Sequence, residues 1–141
     1  MARLDRIPEP MRSVIAALEC PNFKTQPWIE GPQLTRRRVA IISTAGLHRH
    51  DDRPFTIIAC DYRIIPGDIK MNDLVMSHTS TNFDRTGFQQ DWNVVFPLDR
   101  LRELTDQGLI GSIADFHYSL MGATDPKLME PMARDLVPLK I

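Results

Sequence analysis

The sequence predicts an α/β fold in which a mostly parallel sheet lies between helices on both faces, in three layers. Two short apolar runs rich in β-branched residues, RVAIIST at 38–44 and NDLVMSH at 72–78, are typical of strands buried on both faces. These runs alternate along the chain with segments of helical periodicity, which favours a parallel sheet. The length of 141 residues suits a single α/β domain over 1–141. Because only three or four strands are convincing, we expect the sheet to be incomplete.

The first half of the chain begins with a predicted helix at residues 8–20, which prolines open and Pro21 ends. Residues 22–34 read as an extended connection, since they contain prolines and a glycine between large apolar side chains. Residues 59–67 are predicted to be extended, and LIGSIAD at 109–115 is a third strand candidate.

Two helices are predicted in the second half of the chain. One carries leucines at a spacing of three residues, at Leu98, Leu101 and Leu104. Gly108 supplies its stop signal. The other begins with Asp125 as N-cap and Pro126 at its first position. Pro131 and Pro138 are expected to disturb the end of that helix.

Composition and charge argue against several classes of binding partner and cellular location. The net charge of −1 argues against a nucleic-acid or anionic-membrane partner bound through bulk charge. No apolar run approaches the ~18 residues of a membrane helix, and the N-terminus carries charges and prolines where a signal peptide is apolar. We therefore expect a cytoplasmic protein. Its two cysteines, Cys20 and Cys60, form no metal or redox pattern and are predicted to be small buried thiols.

Three histidines each follow a predicted strand: His48 after 38–44, His78 after 72–78, and His117 after 109–115. Ligands of open parallel sheets bind beyond the carboxyl ends of the strands. If the strands are parallel, the histidines share one edge of the sheet with Ser43, Thr44, Ser77, Thr79, Asp84 and Asp115. The alternative is that each histidine is an ordinary loop residue, hydrogen-bonded to backbone or water.

Other chemical signatures are weak. The HRHDD segment at 48–52 has metal-ligating residue types, but its spacing fits no fixed zinc pattern. We interpret it as a solvated charged loop and expect no metal. The sequence has no glycine-rich phosphate loop and no serine nucleophile elbow.

Five phrases, taken in order, resemble one family. They are RRVAIISTAGLH (37–48), DYRIIPGD (61–68), DLVMSH (73–78), FDRTGFQQDWNVVFPLDRLREL (83–104) and GLIGSIADFHYSLMG (108–122). Together they resemble the B component of the glycine, sarcosine, betaine and D-proline reductases, the selenoprotein B family. The resemblance covers residues 23–135.

The resemblance implies reductive cleavage of the C–N bond at the α-carbon of an amino acid or betaine-like amine. Thiols would supply the electrons, with a disulfide as the oxidised acceptor form, and the reactive group would be a cysteine or selenocysteine. Neither Cys20 nor Cys60 stands at the matching position, so the chain resembles the N-terminal part of a family member. We expect no cofactor in this chain, and a redox thiol, a selenol or a substrate-holding pyruvoyl group on a partner.

The family resemblance also implies roles for individual residues of the site. His48, His78 and His117 are expected to line the pocket, where a histidine can protonate the leaving amine. The substrate-binding candidates are Ser77, Thr44, Asp84, Arg85 and Asn93. Of these, Asp84 and Arg85 would hold an ammonium and a carboxylate, and Asn93 would also support its loop.

Three hypotheses stay open at this point. The chain is a reductase subunit, or a non-catalytic binding subunit or remnant, or, on weaker grounds, a metal hydrolase that uses His48, His50 and His78. An incomplete sheet exposes an apolar edge, so we expect a partner subunit or a homo-oligomer beside a small-molecule amine substrate. The sequence does not specify which amine.

Overall fold

The computed structural model describes residues 3–19, 22, 24 and 30–136. Its strands are β1 (Arg38–Val39), β2 (Ile42–Ser43), β3 (Leu47–Arg49), β4 (Tyr62–Pro66), β5 (Leu74–Met76), β6 (Ser112–Ile113) and β7 (Phe116–Leu120). Its α-helices are α1 (Met11–Ala16), α2 (Thr86–Gln90), α3 (Leu98–Asp106) and α4 (Pro126–Leu136). Single 3₁₀ turns occur at Leu4–Arg6, Leu34–Arg36, Met71–Asp73 and Trp92–Val94. The described residues thus combine helices and strands, as an α/β fold requires.

The strands form small mixed sheets, which corrects the expectation of a mostly parallel one. The three-stranded sheet has the order β2-β7-β4, with β2 parallel and β4 antiparallel to β7. β1 pairs parallel with β6, and β3 pairs antiparallel with β5. A parallel pair needs a long crossover, usually a helix. Residues 50–73, between β3 and β5, contain β4 and a 3₁₀ turn and no α-helix, and β3 and β5 are antiparallel. The three-layer arrangement stays a prediction.

The central strand β7 was not predicted as a strand. The expected strand at 109–115 shrinks to Ser112–Ile113, and FHYSL directly after it is the strand that joins β2 to β4. The predicted run at 38–44 is likewise divided into β1 and β2, which pair with different strands. In FHYSL the polar residues His117 and Ser119 lie on one face of the strand, and that face is buried as completely as an apolar one. Such a strand is hard to recognise from sequence, because polar residues usually identify the exposed face of a half-buried strand.

The two faces of the β2-β7-β4 sheet contact different apolar clusters. One is the main core, where α3 contributes Leu98 to a cluster with Ile41, Ala45, Leu47, Ile65, Ile69, Leu74, Trp92 and Phe96. The other packs α4 against β7 through Tyr118, Leu120, Met132 and Leu136. Because successive side chains of a strand point to opposite faces, β7 contributes to both sides of the sheet.

The helix predictions are confirmed where the sequence carries start or stop residues at the helix ends. α3 ends before Gly108, which has φ of +69°, a conformation that glycine adopts readily. α4 begins at Pro126, and the Asp125 carboxylate accepts a hydrogen bond from the Lys127 backbone N–H at 2.9 Å. The helix continues through Pro131 to Leu136, and Pro138 lies outside the described residues. α1 covers only part of the predicted span.

Part of one sheet face is exposed. Ile42, Tyr118 and Ile64 lie opposite one another in register across the three strands, and Phe116 follows on the same face. α4 covers the Tyr118 end, whereas Ile42 and Phe116 are 55% and 53% exposed. This apolar sheet face is therefore partly exposed, and the exposed apolar edge expected of an incomplete sheet stays a prediction. In the described part of the chain, every helix is too short or too polar to reach across a bilayer.

Candidate functional site

Three chain segments meet beyond the carboxyl ends of β2 and β7. The Gly46 N–H donates to the Leu120 carbonyl at 2.9 Å, and the Ser77 N–H donates to the Gly46 carbonyl at 3.0 Å. The Gly122 N–H donates to the Thr44 carbonyl at 3.0 Å. We call this junction, formed by residues 44–46, 77–79 and 121–122, the strand-end site. It brings TAG, SH and MG together, from three of the phrases that carry the family resemblance, with Thr79 directly after the second phrase.

Two glycines make this close approach possible. Gly46 has φ of +65°, and a Cβ there would lie 3.1 Å from the backbone N and Cα of His78. A Cβ at Gly122 would lie 2.7 Å from the Thr44 carbonyl oxygen. Side chains at these positions would force the segments apart. The sequence reasoning did not single out these glycines, although a glycine directly after an apolar run is a usable signal for close backbone approach.

His78 is a buried imidazole with a defined tautomer. Its Nδ1 accepts a hydrogen bond from the Ser80 backbone N–H at 3.2 Å, so the proton of the neutral ring lies on Nε2. The ring stacks on Phe83 with 4.3 Å between centroids. Burial lowers the pKa of His78, and the nearby Arg85 guanidinium lowers it further. At neutral pH the ring is therefore mainly neutral, with Nε2–H as a hydrogen-bond donor.

Ser77 links the strand-end site to the loop between β3 and β4. Its hydroxyl oxygen accepts a hydrogen bond from the Phe55 N–H at 2.8 Å, and the hydroxyl reaches the Gly46 carbonyl at 3.5 Å. Thr44 lies at the same junction, and its side chain is exposed. Thr79 donates to the Met121 sulfur at 3.6 Å. Of the candidate residues, the structure thus brings Thr44, Ser77 and His78 together.

The other two predicted histidines do not share this edge. His117 lies within β7, four residues before Met121, or about 13 Å along an extended strand. Its Nδ1 accepts from the Ile41 N–H at 3.0 Å, and its ring meets Phe96 edge-on. Burial lowers the pKa of His117, with a further contribution from Arg102. The expectation of three histidines on one edge depended on parallel strands, and the mixed pairing removes that basis.

His48 lies within β3, which belongs to the two-stranded sheet with β5. Its Nδ1 donates to the Arg49 carbonyl at 2.7 Å, so Nε2 of the neutral ring is the acceptor. That atom is buried and has no hydrogen-bond partner in the described structure; the same is true of His117 Nε2. Both rings are core residues here, and their expected pocket-lining roles stay predictions.

The charged candidates next to His78 bind their own loop. Arg85 donates to the His78 carbonyl and to the Phe83 and Ser80 carbonyls at 3.4 Å. Asp84 accepts from the Thr86 N–H at 2.9 Å and from its hydroxyl, at the start of α2. These bonds explain the local fold of residues 78–86. They also occupy the groups that the resemblance assigns to a substrate.

Asn93 supports the start of α3, as its expected structural role requires. Its Oδ1 accepts from the Asp99 N–H at 3.0 Å, and its Nδ2 donates to Asp91 at 2.8 Å and to Asp99 at 3.1 Å. Trp92 Nε1 also donates to Asp99, at 2.6 Å. These hydrogen bonds fix the NVVFP turn against the helix, and a substrate contact of Asn93 stays a prediction.

Arg63 is a buried cation that the sequence reasoning missed. It is 5% exposed and lies over the Phe55 ring at 4.4 Å. It pairs with Asp61 at 2.9 Å and more distantly with Asp52, while its Nη2 has no partner in the described structure. Its signal was strand alternation, which places residue 63 on the same face as buried Ile65.

The described residues bring no group of three or more His, Cys, Asp or Glu side chains together, and His50 is exposed on the surface. Cys60 is half-buried rather than fully buried, and its Sγ donates to the Ile58 carbonyl at 3.4 Å. Cys20 lies outside the described residues.

Comparisons with known proteins agree with the resemblance. The family model described as Glycine/sarcosine/betaine reductase selenoprotein B matches residues 17–137. The chain is 33% identical over 91 residues to the D-proline reductase subunit gamma of Acetoanaerobium sticklandii, over 64% of this chain and 37% of that protein. It is 32% identical over 93 residues to the sarcosine reductase complex component B subunit beta of Peptoclostridium acidaminophilum, over 63% of this chain and 21% of that protein. The chain thus spans well under half the length of these relatives. No solved structure matches it.

Proposed function

Because the chain belongs to the Glycine/sarcosine/betaine reductase selenoprotein B family, we propose that it is one subunit of a reductase complex. The complex reductively cleaves the C–N bond of an amino acid or betaine-like amine. The observation that carries the proposal is the strand-end site, where glycines at 46 and 122 bring His78, Ser77 and Thr44 to one junction. Both named relatives are reductase subunits.

The reaction needs two electrons and two protons. The C–N bond breaks, a C–H and an N–H bond form, and two thiols become one disulfide, which balances atoms and electrons. In the described part of the chain only Cys60 carries a thiol, so no pair is available there to resolve a covalent adduct. We therefore propose that the redox thiol or selenol pair is completed by residues outside the described part of this chain.

His78 acts in this scheme as a hydrogen-bond donor. Its lowered pKa keeps the imidazole neutral, so Nε2–H is available to a substrate oxygen while little imidazolium is present to act as an acid. The Ser80 N–H on Nδ1 and the Phe83 ring hold the orientation of the donor. A fixed donor of this kind orients a substrate carboxylate or stabilises charge that develops during cleavage.

A non-catalytic scaffold subunit is the second candidate. One observation favours it: Arg85 and Asp84, the groups expected to hold a substrate's carboxylate and ammonium, are both engaged by residues of their own loop. In that case the chain keeps the fold and contributes surface, while substrate contacts lie elsewhere in the complex.

The test uses the complex purified from the source organism through a tag on this chain. With D-proline and sarcosine as substrates and dithiothreitol as electron donor, we expect His78→Ala to lower kcat/KM by about 100-fold. His50→Ala, an exposed histidine outside the strand-end site, is the matched control and should stay within about twofold.

Three results separate the alternatives. A chain that purifies alone at its own mass of 16.1 kDa overturns the reductase proposal. An active complex in which His78→Ala keeps full activity supports the scaffold role. Elemental analysis that finds no stoichiometric metal in the purified complex excludes the metal-hydrolase hypothesis.

A further inference from the structure

Arg85 closes the loop that carries His78. Its guanidinium donates to the His78 carbonyl, and at 3.4 Å to the Ser80 and Phe83 carbonyls. All three acceptors lie within residues 78–85, a segment without strand or helix that we call the His78 loop. Because a guanidinium carries its N–H donors in a fixed planar fork, one side chain can bind several backbone groups at once. Arg85 therefore determines the shape of this loop.

The His78 loop orients the imidazole of His78 through two of the same residues. The Ser80 N–H donates to Nδ1 at 3.2 Å, and the Phe83 ring stacks on the imidazole with 4.3 Å between centroids. The Phe83 side chain also packs against the main apolar core. The residues whose carbonyls bind Arg85 are thus the residues that hold the ring. Loss of the guanidinium would loosen both contacts without removing either partner.

The charge of Arg85 acts on the same ring. Burial is the larger cause that lowers the pKa of His78, and the positive charge of Arg85 lowers it further. The Asp84 carboxylate, next to Arg85 in the chain, is bound by the Thr86 N–H and hydroxyl. A cation beside an imidazole favours the neutral ring, in which Nε2–H remains a donor. The hydrogen bonds and the charge of Arg85 therefore favour the same state of His78.

We propose that Arg85 is a positioning residue of the strand-end site: it fixes the His78 loop so that Nε2–H of His78 is presented to the substrate, and it does not bind the substrate itself. This inference rests on the proposed function and deepens it, because it assigns the residue that controls the donor. It gives Arg85 a different role from the capture of a substrate carboxylate that the resemblance implies. A direct ligand needs donors that turn toward the substrate, whereas those of Arg85 bind carbonyls of their own loop.

The first experiment is a double-mutant cycle on the purified complex, with the amine that the complex reduces as substrate. We expect Arg85→Gln to lower kcat/KM by about 20-fold when His78 is present, and by less than about twofold in the His78→Ala background. A residue that acts through His78 has nothing left to position once the ring is gone. A direct substrate ligand would lower kcat/KM by the same factor in both backgrounds, and that result overturns the inference. Arg100→Gln, at an exposed arginine of α3, is the matched control and should stay within about twofold.

The second experiment observes the ring itself by nitrogen NMR of the full chain labelled at histidine. We expect Arg85→Gln to raise the pKa of His78, because a cation is removed, and to weaken the signal of the Nε2–H tautomer, because the Ser80 N–H is no longer held on Nδ1. Arg85→Lys keeps the charge but not the planar fork, so it should change the pKa less while it still disturbs the tautomer. A pKa and a tautomer that are the same in the unaltered chain and in both variants overturn the inference.

The two readouts separate this inference from the proposed function. If the complex reduces no amine, the proposed function fails and the presentation of Nε2–H to a substrate fails with it, although the spectra still show whether Arg85 holds the ring. If the complex is active and neither Arg85→Gln nor His78→Ala changes kcat/KM, the inference is wrong while the chain remains a reductase subunit. Should Arg85→Gln not fold, the cycle is run with Arg85→Lys, for which the same dependence on His78 is expected and equal losses in both backgrounds overturn the inference.

Discussion

At the residue scale, two glycines with nearly the same backbone conformation differ in their surroundings. Gly46 and Gly108 have φ of +65° and +69°, so an alanine at either position costs about 1 kcal/mol in backbone strain. Nothing lies within 4 Å of a Cβ at Gly108, whereas a Cβ at Gly46 meets the His78 backbone at 3.1 Å. We predict that Gly108→Ala lowers the free energy of unfolding by about 1 kcal/mol and Gly46→Ala by roughly 3 kcal/mol. Urea denaturation of both variants measures the difference; equal losses would show that the close approach at Gly46 is not needed.

Single residues also show what the sequence does not reveal. The resemblance made Arg85 a carboxylate ligand, yet its guanidinium binds backbone carbonyls of its own loop. His117 was expected at a strand end but is a core acceptor for the Ile41 N–H. Both outcomes depend on neighbours that are set by folding. Residue type alone gives the bonding capacity of a side chain and not the partner that uses it.

At the element scale, the start of α3 depends on one carboxylate. Asp99 accepts hydrogen bonds from Trp92, Asn93 and Arg102 at 2.6, 3.1 and 2.8 Å. Burial raises the pKa of Asp99, but these three bonds outweigh it and hold the pKa below its ordinary value. We predict that Asp99→Ala lowers the free energy of unfolding by about 2 kcal/mol, because three donors lose their acceptor. Denaturation followed by tryptophan fluorescence measures the loss.

Asp106 provides the comparison within the same helix. It is exposed in the last turn of α3, where a negative charge opposes the helix dipole. Asp106→Ala should therefore leave stability unchanged or raise it slightly. A loss in Asp106→Ala as large as that in Asp99→Ala would mean that helix propensity, rather than the hydrogen bonds of Asp99, stabilises this element.

A helix or strand could be predicted when the residues that determine it lie close to it in the sequence. α3 and α4 were predicted because Gly108, Asp125 and Pro126 act within a few residues of the helix ends. The strands were misjudged because pairing joins positions far apart in sequence, such as Ile65 with His117. An apolar run shows that a strand is buried but not which neighbour it has or in which direction that neighbour runs.

At the scale of the whole molecule, stability should depend on pH through buried histidines. His78 and His117 have pKa values lowered by burial, so the unfolded chain binds more protons than the folded chain as the pH falls below the ordinary histidine value of about 6.5. Their contribution to stability is present above that pH and is lost as the pH falls through the folded pKa values. The carboxylates with lowered pKa, such as Asp61 and Asp99, act in the same direction only at lower pH, near their ordinary value of 3.8.

We therefore predict that the free energy of unfolding decreases between pH 7.5 and pH 5, by no more than about 1.4 kcal/mol per pH unit for each histidine. Urea denaturation at several pH values measures the slope. His117→Asn keeps an acceptor for the Ile41 N–H and removes the titrating group, so it should reduce the slope, and His78→Gln should do the same at the strand-end site. His50→Gln, at an exposed position, is the control. A slope that both buried-site variants leave unchanged would mean that His78 and His117 are protonated without cost to the fold, and that the neutral His78 proposed for the strand-end site is wrong.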